Sequence, residues 1–507
     1  MRDHGTARSD AAQGERAGRD RFVIVSNRGP VTFSRDASGG RGYSRGAGGL
    51  VTALNAVVRR REAVWIASAT SDEDLVVARE EGPVEIEELT VDLVEHAPEA
   101  YELMYNHIAN PLLWFVQHGI YDLPYSPGLG DDTRRAWEGY KEVSRNFARA
   151  ASGAAVRAAE DGENPVILLH DYQLYMVPDA LRESLRGTRA EDALVSLFVH
   201  IPWPDPGYWR ILPKEIRESI LQSLLRCDVL AFHTSRYARA FLDTASEVLG
   251  AEADPEEGIV NYRGRETRVR AYPISIDPSE FSELAESDAV LAEEEYVRGL
   301  PGSLLLRVDR LDLSKNILRG FLAYGRMLER HPDMKERVTF LAQLQPSRGS
   351  IPEYARYSEA VQGAVEEINA KHRTPGWEPV VLSLEDNFPR SVAAYKNYDA
   401  LLVNAVRDGM NLVAKEAALV NRRDGVLVLS ETAGAHEELG EHALTVNPFD
   451  LDEQADALHH ALVMDPAERS GRARSLRGTV ERNTVDDWVE AQLEDIAALR
   501  GHPQRRM

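Results

Sequence analysis

The chain has one cysteine in 507 residues. That count excludes an internal disulfide and any zinc site built on cysteine ligands. Cys227, in the run Leu224-Leu-Arg-Cys-Asp-Val-Leu230, reads as a small buried apolar residue in a reduced compartment. Long apolar runs are missing too. None approaches the 18 residues of a membrane-crossing helix, and the first residues lack the hydrophobic core of a signal peptide. The expectation is a cytoplasmic protein with no membrane partner. Basic residues are in deficit, 59 Lys and Arg against 82 Asp and Glu, for a net charge of -23. Such a balance argues against a nucleic-acid or anionic-membrane surface, so any phosphorylated ligand must be gripped by a local cluster of cations. The chain offers no metal-ligand cluster, no internal repeat and no low-complexity segment beyond its first tail.

What remains is ordinary globular composition, 43% hydrophobic and 28% charged, in a chain too long for one core. Residues 1–20 read as a disordered tail and 501–507 as a frayed end. From 21 onward, short apolar strands alternate with helical patterns. Strands are expected at 21–28, 64–67, 166–170, 195–200 and 228–233, with helices such as 133–158 and 213–226 between them. This rhythm predicts a doubly wound parallel sheet. Residues 271–278 carry two prolines without a helical pattern and read as a linker. A second series follows, with strands at 303–308, 338–343, 379–382, near 400 and at 426–430. The division expected is a first domain over 21–274, a second over 275–485, and a terminal helix and tail over 486–507 that packs back on the first.

One stretch organises the rest, Val406-Arg-Asp-Gly-Met-Asn-Leu-Val-Ala-Lys-Glu416. A buried strand leads into it, and a helix with an apolar stripe leaves it. Gly409 in the turn allows positive φ and close approach of a ligand to the backbone. Amides at the start of the helix favour an anion. Glu416 lies one turn below Leu412 on the same helical face. The chemistry this spacing suits is a diphosphate at the helix start, a sugar hydroxyl on Asp408 and a ribose on Glu416. The same residues also fit an ordinarily capped helix with a solvated glutamate. A second strand–glycine–helix passage, 46–54 after Arg28, forms another candidate anion cradle. Polar groups close several strands: His170-Asp171, His200, His233, Asp309-Arg310 with Lys315, and Arg348. In open α/β sheets that is where ligands bind.

Taken together, these segments resemble trehalose-6-phosphate synthase, a retaining glycosyltransferase family of the GT-B fold, from about 21 to about 490. The resemblance rests on Ser26-Asn-Arg28 with Gly48-Gly49, Tyr105-Asn106 with Trp114, His170-Asp-Tyr172, His200-Ile-Pro-Trp-Pro204 and Phe232-His-Thr234. It continues through Val308-Asp-Arg-Leu-Asp312 with Ser314-Lys315, Pro346-Ser-Arg348, the 407–416 stretch, Leu429-Ser-Glu431 and Val446-Asn-Pro-Phe-Asp450. It implies a GT-B architecture of two Rossmann-like domains facing across a cleft. It implies transfer of glucose from GDP-glucose or UDP-glucose to glucose 6-phosphate with retention, without a metal or other cofactor. By this resemblance Arg310 and Lys315 grip the donor diphosphate. Asp408, Gly409, Met410 and Asn411 hold the glucose, Leu412 lies near the diphosphate, Glu416 takes the ribose, and Gly49 approaches both substrates. Arg28, Tyr105, Trp114 and Arg348 build the acceptor pocket, Asp171 meets the acceptor hydroxyls, and His200 sits beside the donor glucose. Catalysis would fall to Arg310, Lys315, His200 and Asp171, with small molecules as partners and a homo-oligomer, dimer or tetramer, left open.

Several residues depart from the family pattern: Gln173 after Asp-Tyr, His107 after Asn106, and Asn316 where glycine usually follows the lysine. The segment 383–388 departs as well. There Glu385 or Asp386 could accept from guanine N–H groups, which sets GDP-glucose slightly ahead of UDP-glucose; a solvated acidic loop is the alternative. Two other readings stay open. One is a pseudo-glycosyltransferase joining a GDP-linked cyclitol to an aminocyclitol phosphate, against which Asp408–Leu412 and Asp309–Asp312 are intact. The other is a catalytically silent regulatory homologue.

Overall fold

The computed structural model describes residues 18–36, 39–46, 51, 53–54, 62–87, 89–349 and 351–500. Of the expected tail over 1–20, residues 1–17 lie outside the described residues, whereas Asp20 already belongs to the first strand. Residues 47–50, with Gly48 and Gly49, and the end 501–507 also lie outside them. The chain forms two compact units. One comprises Met1–Gln117, Tyr121–Tyr272 and Val489–Met507, and the other His118–Ile120 and Pro273–Trp488.

In the first unit the strands are β1 Asp20–Ser26, β2 Val31–Arg35, β3 Arg41–Arg45, β4 Ala63–Ser68, β5 Val84–Ile86 and β6 Leu89–Val94. They continue with β7 Asn164–His170, β8 Leu194–Phe198, β9 Val229–Phe232, β10 Glu252–Asp254, β11 Ile259–Tyr262 and β12 Arg265–Ala271. The sheet runs β10-β11-β12-β9-β8-β7-β1-β4-β6-β5. Its centre is parallel, and the short antiparallel strands β5, β10 and β11 sit at the edges. The five expected strands are all present. The edge strands and the β2–β3 hairpin escaped the sequence reading because they are short, polar or half-exposed. β1 is central because Phe22 to Val25 are apolar on both faces and buried, as a parallel strand covered by helices must be.

The second unit holds β13 Ser303–Arg310, β14 Val338–Gln345, β15 Val380–Ser383, β16 Ala400–Val403, β17 Val426–Ser430 and β18 Leu444–Val446. They pair all in parallel, in the order β15-β14-β13-β16-β17-β18. Leu305, Phe340, Ala342, Leu344, Val380 and Val428 point to one face and join a core with Phe321, Met327, Val361 and Leu458. The helices Phe388–Asn397 and Leu412–Val420 belong to the other face, with the first packed on β13 and the second on the first.

Both parallel sheets reverse strand order once, between β1 and β7 in the first unit and between β13 and β16 in the second. Adjacent loops diverge at such a point and leave a crevice at the carboxyl ends of the strands. The α/β doubly wound reading is therefore correct. No helix among the described residues is long and apolar enough to cross a membrane.

Candidate active site: two half-sites at the switch points

In the second unit the loops after β13 and β16 are stitched together, the amide of Val406 donating to the carbonyl of Ser314 at 2.8 Å. Asp312 starts the first loop. Its buried carboxylate accepts from the amide and hydroxyl of Ser314 at 2.9 and 2.8 Å. This turn aims Lys315 across the crevice to Asp408, Nζ to Oδ2 at 2.5 Å. Asn411 donates to the same oxygen at 3.0 Å, and its own Oδ1 caps the helix Leu412–Val420 through the amide of Ala414. Burial opposes the charge on both partners. Their mutual attraction outweighs it, so the Lys315 pKa is raised and that of Asp408 lowered. The result is a cation and a carboxylate, both ionised, beside a capped helix N-terminus.

The left-handed position expected at Gly409 falls instead on Asn411, with φ of 85°. The glycine that the turn requires for close packing is Gly434. A Cβ there would lie 2.0 Å from the carbonyl oxygen of Gly409. Gly434 and Ala435 donate their amides to the carbonyls of Asp408 and Met410 at 3.1 and 2.7 Å, which fixes the turn from behind. Asn316 takes φ of 59°, a left-handed conformation that glycine adopts without strain. Its side chain adds what glycine lacks, donating to the carbonyls of Asn404 and Pro448 at 2.9 and 2.7 Å. That departure is a substitution with its own hydrogen bonds.

Arg310 is exposed at the end of β13. Arg348, also left-handed with φ of 46°, binds the Tyr354 hydroxyl at 2.6 Å and Asp312 at 3.3 Å. It belongs to the second unit's half-site. Burial is the largest influence on Asp312, yet Arg348 and Arg310 prevail and hold its pKa below the usual carboxylate range. Glu416 is half-buried, and desolvation lifts its pKa to about 7 despite the Tyr395 hydroxyl. In the 383–388 segment, Glu385 is already engaged by Arg390 and by Ser383 Oγ at 3.0 Å. Asp386 is exposed.

Sequence reasoning missed Arg307. It is fully buried in β13 and donates to Asp309 at 2.9 Å, to the carbonyls of Lys315 and Ile317 at 2.9 and 3.4 Å, and to Asn404. Asn404 in turn donates to Gln454 at 2.6 Å. A lone arginine inside the apolar run Leu304–Val308 was the available signal. A buried guanidinium is stable only with its donors satisfied, and here they tie both loops of the switch point together.

The first unit's half-site surrounds the β1–β7 switch. Arg28, exposed after β1, donates to the Tyr105 hydroxyl at 3.4 Å. Tyr105 stacks on Tyr101 with centroids 5.8 Å apart, and Asn27 holds the Tyr101 hydroxyl at 3.3 Å. Trp114 is buried, its ring tilted against that of Tyr172 with centroids 5.7 Å apart. Asp171 follows β7 with φ of 79°, and its Oδ1 accepts from the His200 amide at 3.2 Å. The three strand-end histidines form one row, His170 Nδ1 to His200 Nε2 at 3.1 Å and His200 Nδ1 to His233 Nε2 at 3.2 Å. Burial alone drives the His170 pKa down to about 3, and burial, then the neighbours His233 and His170, depress that of His200 well below its ordinary value. With both ring nitrogens in the row, His200 is held in place, and its depressed pKa favours the neutral form. Arg28 and Asp171 thus share a half-site in one unit, while Arg310, Lys315, Arg348, Asp408 to Leu412 and Glu416 share another.

Residues 20–498 match glycosyltransferase family 20. The chain is 35% identical over 489 residues to the validamine 7-phosphate valienyltransferase of Streptomyces hygroscopicus subsp. jinggangensis (strain 5008), covering 94% of each protein. It is 33% identical over 497 residues to the UDP-forming alpha,alpha-trehalose-phosphate synthase of Botryotinia fuckeliana (strain B05.10), spanning 96% of this chain and 90% of that one. Among solved structures, that of a UDP-forming alpha,alpha-trehalose-phosphate synthase from Burkholderia xenovorans in complex with glucose-6-phosphate superposes with a TM-score of 0.79. It is 28% identical and covers 94% of this chain and all of that one.

Proposed function

The chain belongs to glycosyltransferase family 20, and we propose that it is an alpha,alpha-trehalose-6-phosphate synthase. It transfers glucose from a nucleoside-diphosphate glucose to glucose 6-phosphate with retention at the anomeric carbon. The observation that carries this reading is the Lys315–Asp408–Asn411 constellation at the start of the helix Leu412–Val420. It supplies a cation for a diphosphate, a carboxylate for sugar hydroxyls and a helix N-terminus for negative charge.

On binding, the diphosphate takes up Lys315 and Arg310, and Asp408 turns to the glucose hydroxyls with the amides of Gly409, Met410 and Asn411. The ribose lies on Glu416. Arg28 and Tyr105 take the acceptor phosphate and ring, and Asp171 its hydroxyls. Bond breaking moves charge onto the departing phosphate, where the two cations stabilise it. The acceptor hydroxyl attacks on the face the diphosphate leaves, and the departing phosphate receives its proton. His200 is a neutral wall in this scheme. Since two fixed cations meet the charge, no metal is needed, and turnover is expected to survive a chelator.

The donor nucleotide is UDP or GDP. The UDP-forming names of the synthases it resembles support uridine, while Asp386 alone is left to argue for guanine. A second reading draws on the similarity to the valienyltransferase: coupling of a nucleotide-linked cyclitol to an aminocyclitol phosphate. Retention of Asp408 and Asn411, groups suited to a hydroxylated sugar, favours the synthase. The test is nucleotide release with glucose 6-phosphate and GDP-, UDP- or ADP-glucose in turn, with the product dephosphorylated and treated with trehalase. A trehalase-sensitive product is expected. No turnover with any of the three would refute the synthase and bring the cyclitol donor forward.

A further inference from the structure

Gln343 lies near the carboxyl end of β14, in register with Val308 of β13 and Ser383 of β15. Its neighbours Ala342 and Leu344 belong to the core on one face of the sheet. By strand alternation Gln343 therefore points to the opposite face, the side of the helices Phe388–Asn397 and Leu412–Val420. It is only 3% exposed. Neither its Nε2 nor its Oε1 has a hydrogen-bond partner among the described residues. Burying a primary amide with donor and acceptor both unused is costly, and a leucine or methionine would avoid the cost. An amide kept in such a place is kept for a ligand.

The surroundings say which ligand. The cations occupy the ends of β13 and its loop, and Glu416, bonded to Tyr395 of the helix Phe388–Asn397, lies in the layer that Gln343 faces. A ribose on Glu416 carries its base away from the diphosphate, towards β14 and β15. There the chain after Ser383 presents two exposed apolar side chains, Leu384 at 37% and Phe388 at 47%. These are surfaces for a flat ring. We infer that Gln343 is the group that reads the donor's nucleobase, its amide pairing with the base edge while the ring lies against Leu384 and Phe388. No hydrogen bond to the described residues has to break for the amide to turn towards the base. The inference rests on the nucleotide-sugar reading of the site and deepens it.

The test is equilibrium binding to the full-length protein by calorimetry, with UDP, GDP and inorganic pyrophosphate as probes and Q343M and Q343L as variants. Both substitutions are apolar and similar in volume, so the melting temperature should hold or rise. Affinity for the nucleoside diphosphate that the wild type prefers should fall about 10- to 100-fold, the worth of a two-point base contact. Affinity for pyrophosphate should not change. Unchanged nucleoside diphosphate binding overturns the inference, as does an equal loss for pyrophosphate, which would place the damage at the cations. Glucose transfer is not part of this measurement, so a wild type that binds nucleotides without turnover defeats the synthase reading alone.

Discussion

Glu416 offers a direct check on the donor half-site. Desolvation has moved its pKa from an ordinary 4.5 to about 7, against the pull of the Tyr395 hydroxyl. The sign follows from proton counting. Between those two values the native state holds a proton that the unfolded chain has released, so stability falls as pH rises through that window. Above pH 7 the full penalty is present. At 1.36 kcal/mol per unit the displacement corresponds to about 3 kcal/mol. Because the residue is half-buried and partly screened, about 2 kcal/mol is the working figure. E416Q keeps the shape and never ionises. It should therefore melt about 2–4 °C above the wild type at pH 8 and converge with it near pH 5. Function should move the other way. Glutamine gives up the charged acceptor for the ribose hydroxyls, and UDP or GDP should bind about 10-fold more weakly. In the wild type, hydrogen bonds from ribose favour the carboxylate, so nucleotide binding at pH 7 should release protons, seen as a calorimetric enthalpy that depends on the buffer. The assay is a melting series of both proteins from pH 5 to 8.5 with and without nucleotide. Parallel pH profiles for wild type and E416Q would refute the argument.

Three further outcomes follow from the same geometry. Lys315→Ala strips Asp408 of its cation; turnover should drop at least about 100-fold and unfolding free energy by about 3 kcal/mol, measured by steady-state kinetics and urea melts. Asn316→Ala keeps the left-handed strain and loses two buried hydrogen bonds, for about 2–4 kcal/mol. Asn316→Gly loses only the bonds, so urea melts should place it between wild type and alanine, and equal losses for the two would remove the strain argument. Gly434→Ala puts a methyl 2.0 Å from the Gly409 carbonyl oxygen, which must push the 408–411 turn out of place. A raised KM for the nucleotide sugar is expected with the KM for glucose 6-phosphate nearly unchanged, and wild-type kinetics would contradict it.

Much of the fold was legible because central parallel strands are apolar on both faces, as Phe22 to Val25 and Val426 to Leu429 show. The half-sites were legible in outline because their polar residues close those strands. The reading failed where a residue's role is set by a distant partner. Gly409 looked like the special backbone position because it is the glycine of the turn. The close contact belongs to Gly434, on another loop, and the left-handed φ to Asn411, whose side chain stabilises it locally.

Arg307 explains why such a site needs residues that never touch a ligand. At a switch point two loops leave neighbouring strands in opposite directions, and the hydrogen bonds of the sheet end just below them. Lys315 and Asp408 lie on different loops, and their attraction alone would draw the lysine onto the carboxylate without fixing where either stands. The guanidinium of Arg307 reaches the carbonyls of Lys315 and Ile317 on one side and the Asn404 side chain on the other. Asn316 returns a bond from its loop to the Asn404 carbonyl, and Gln454 anchors Asn404 from below. Each loop is thereby held to the other by bonds that the arrival of a diphosphate does not disturb. When the ligand competes for Lys315, the lysine can change partner while its backbone stays in place, and that is the preorganisation a charge-stabilising site requires.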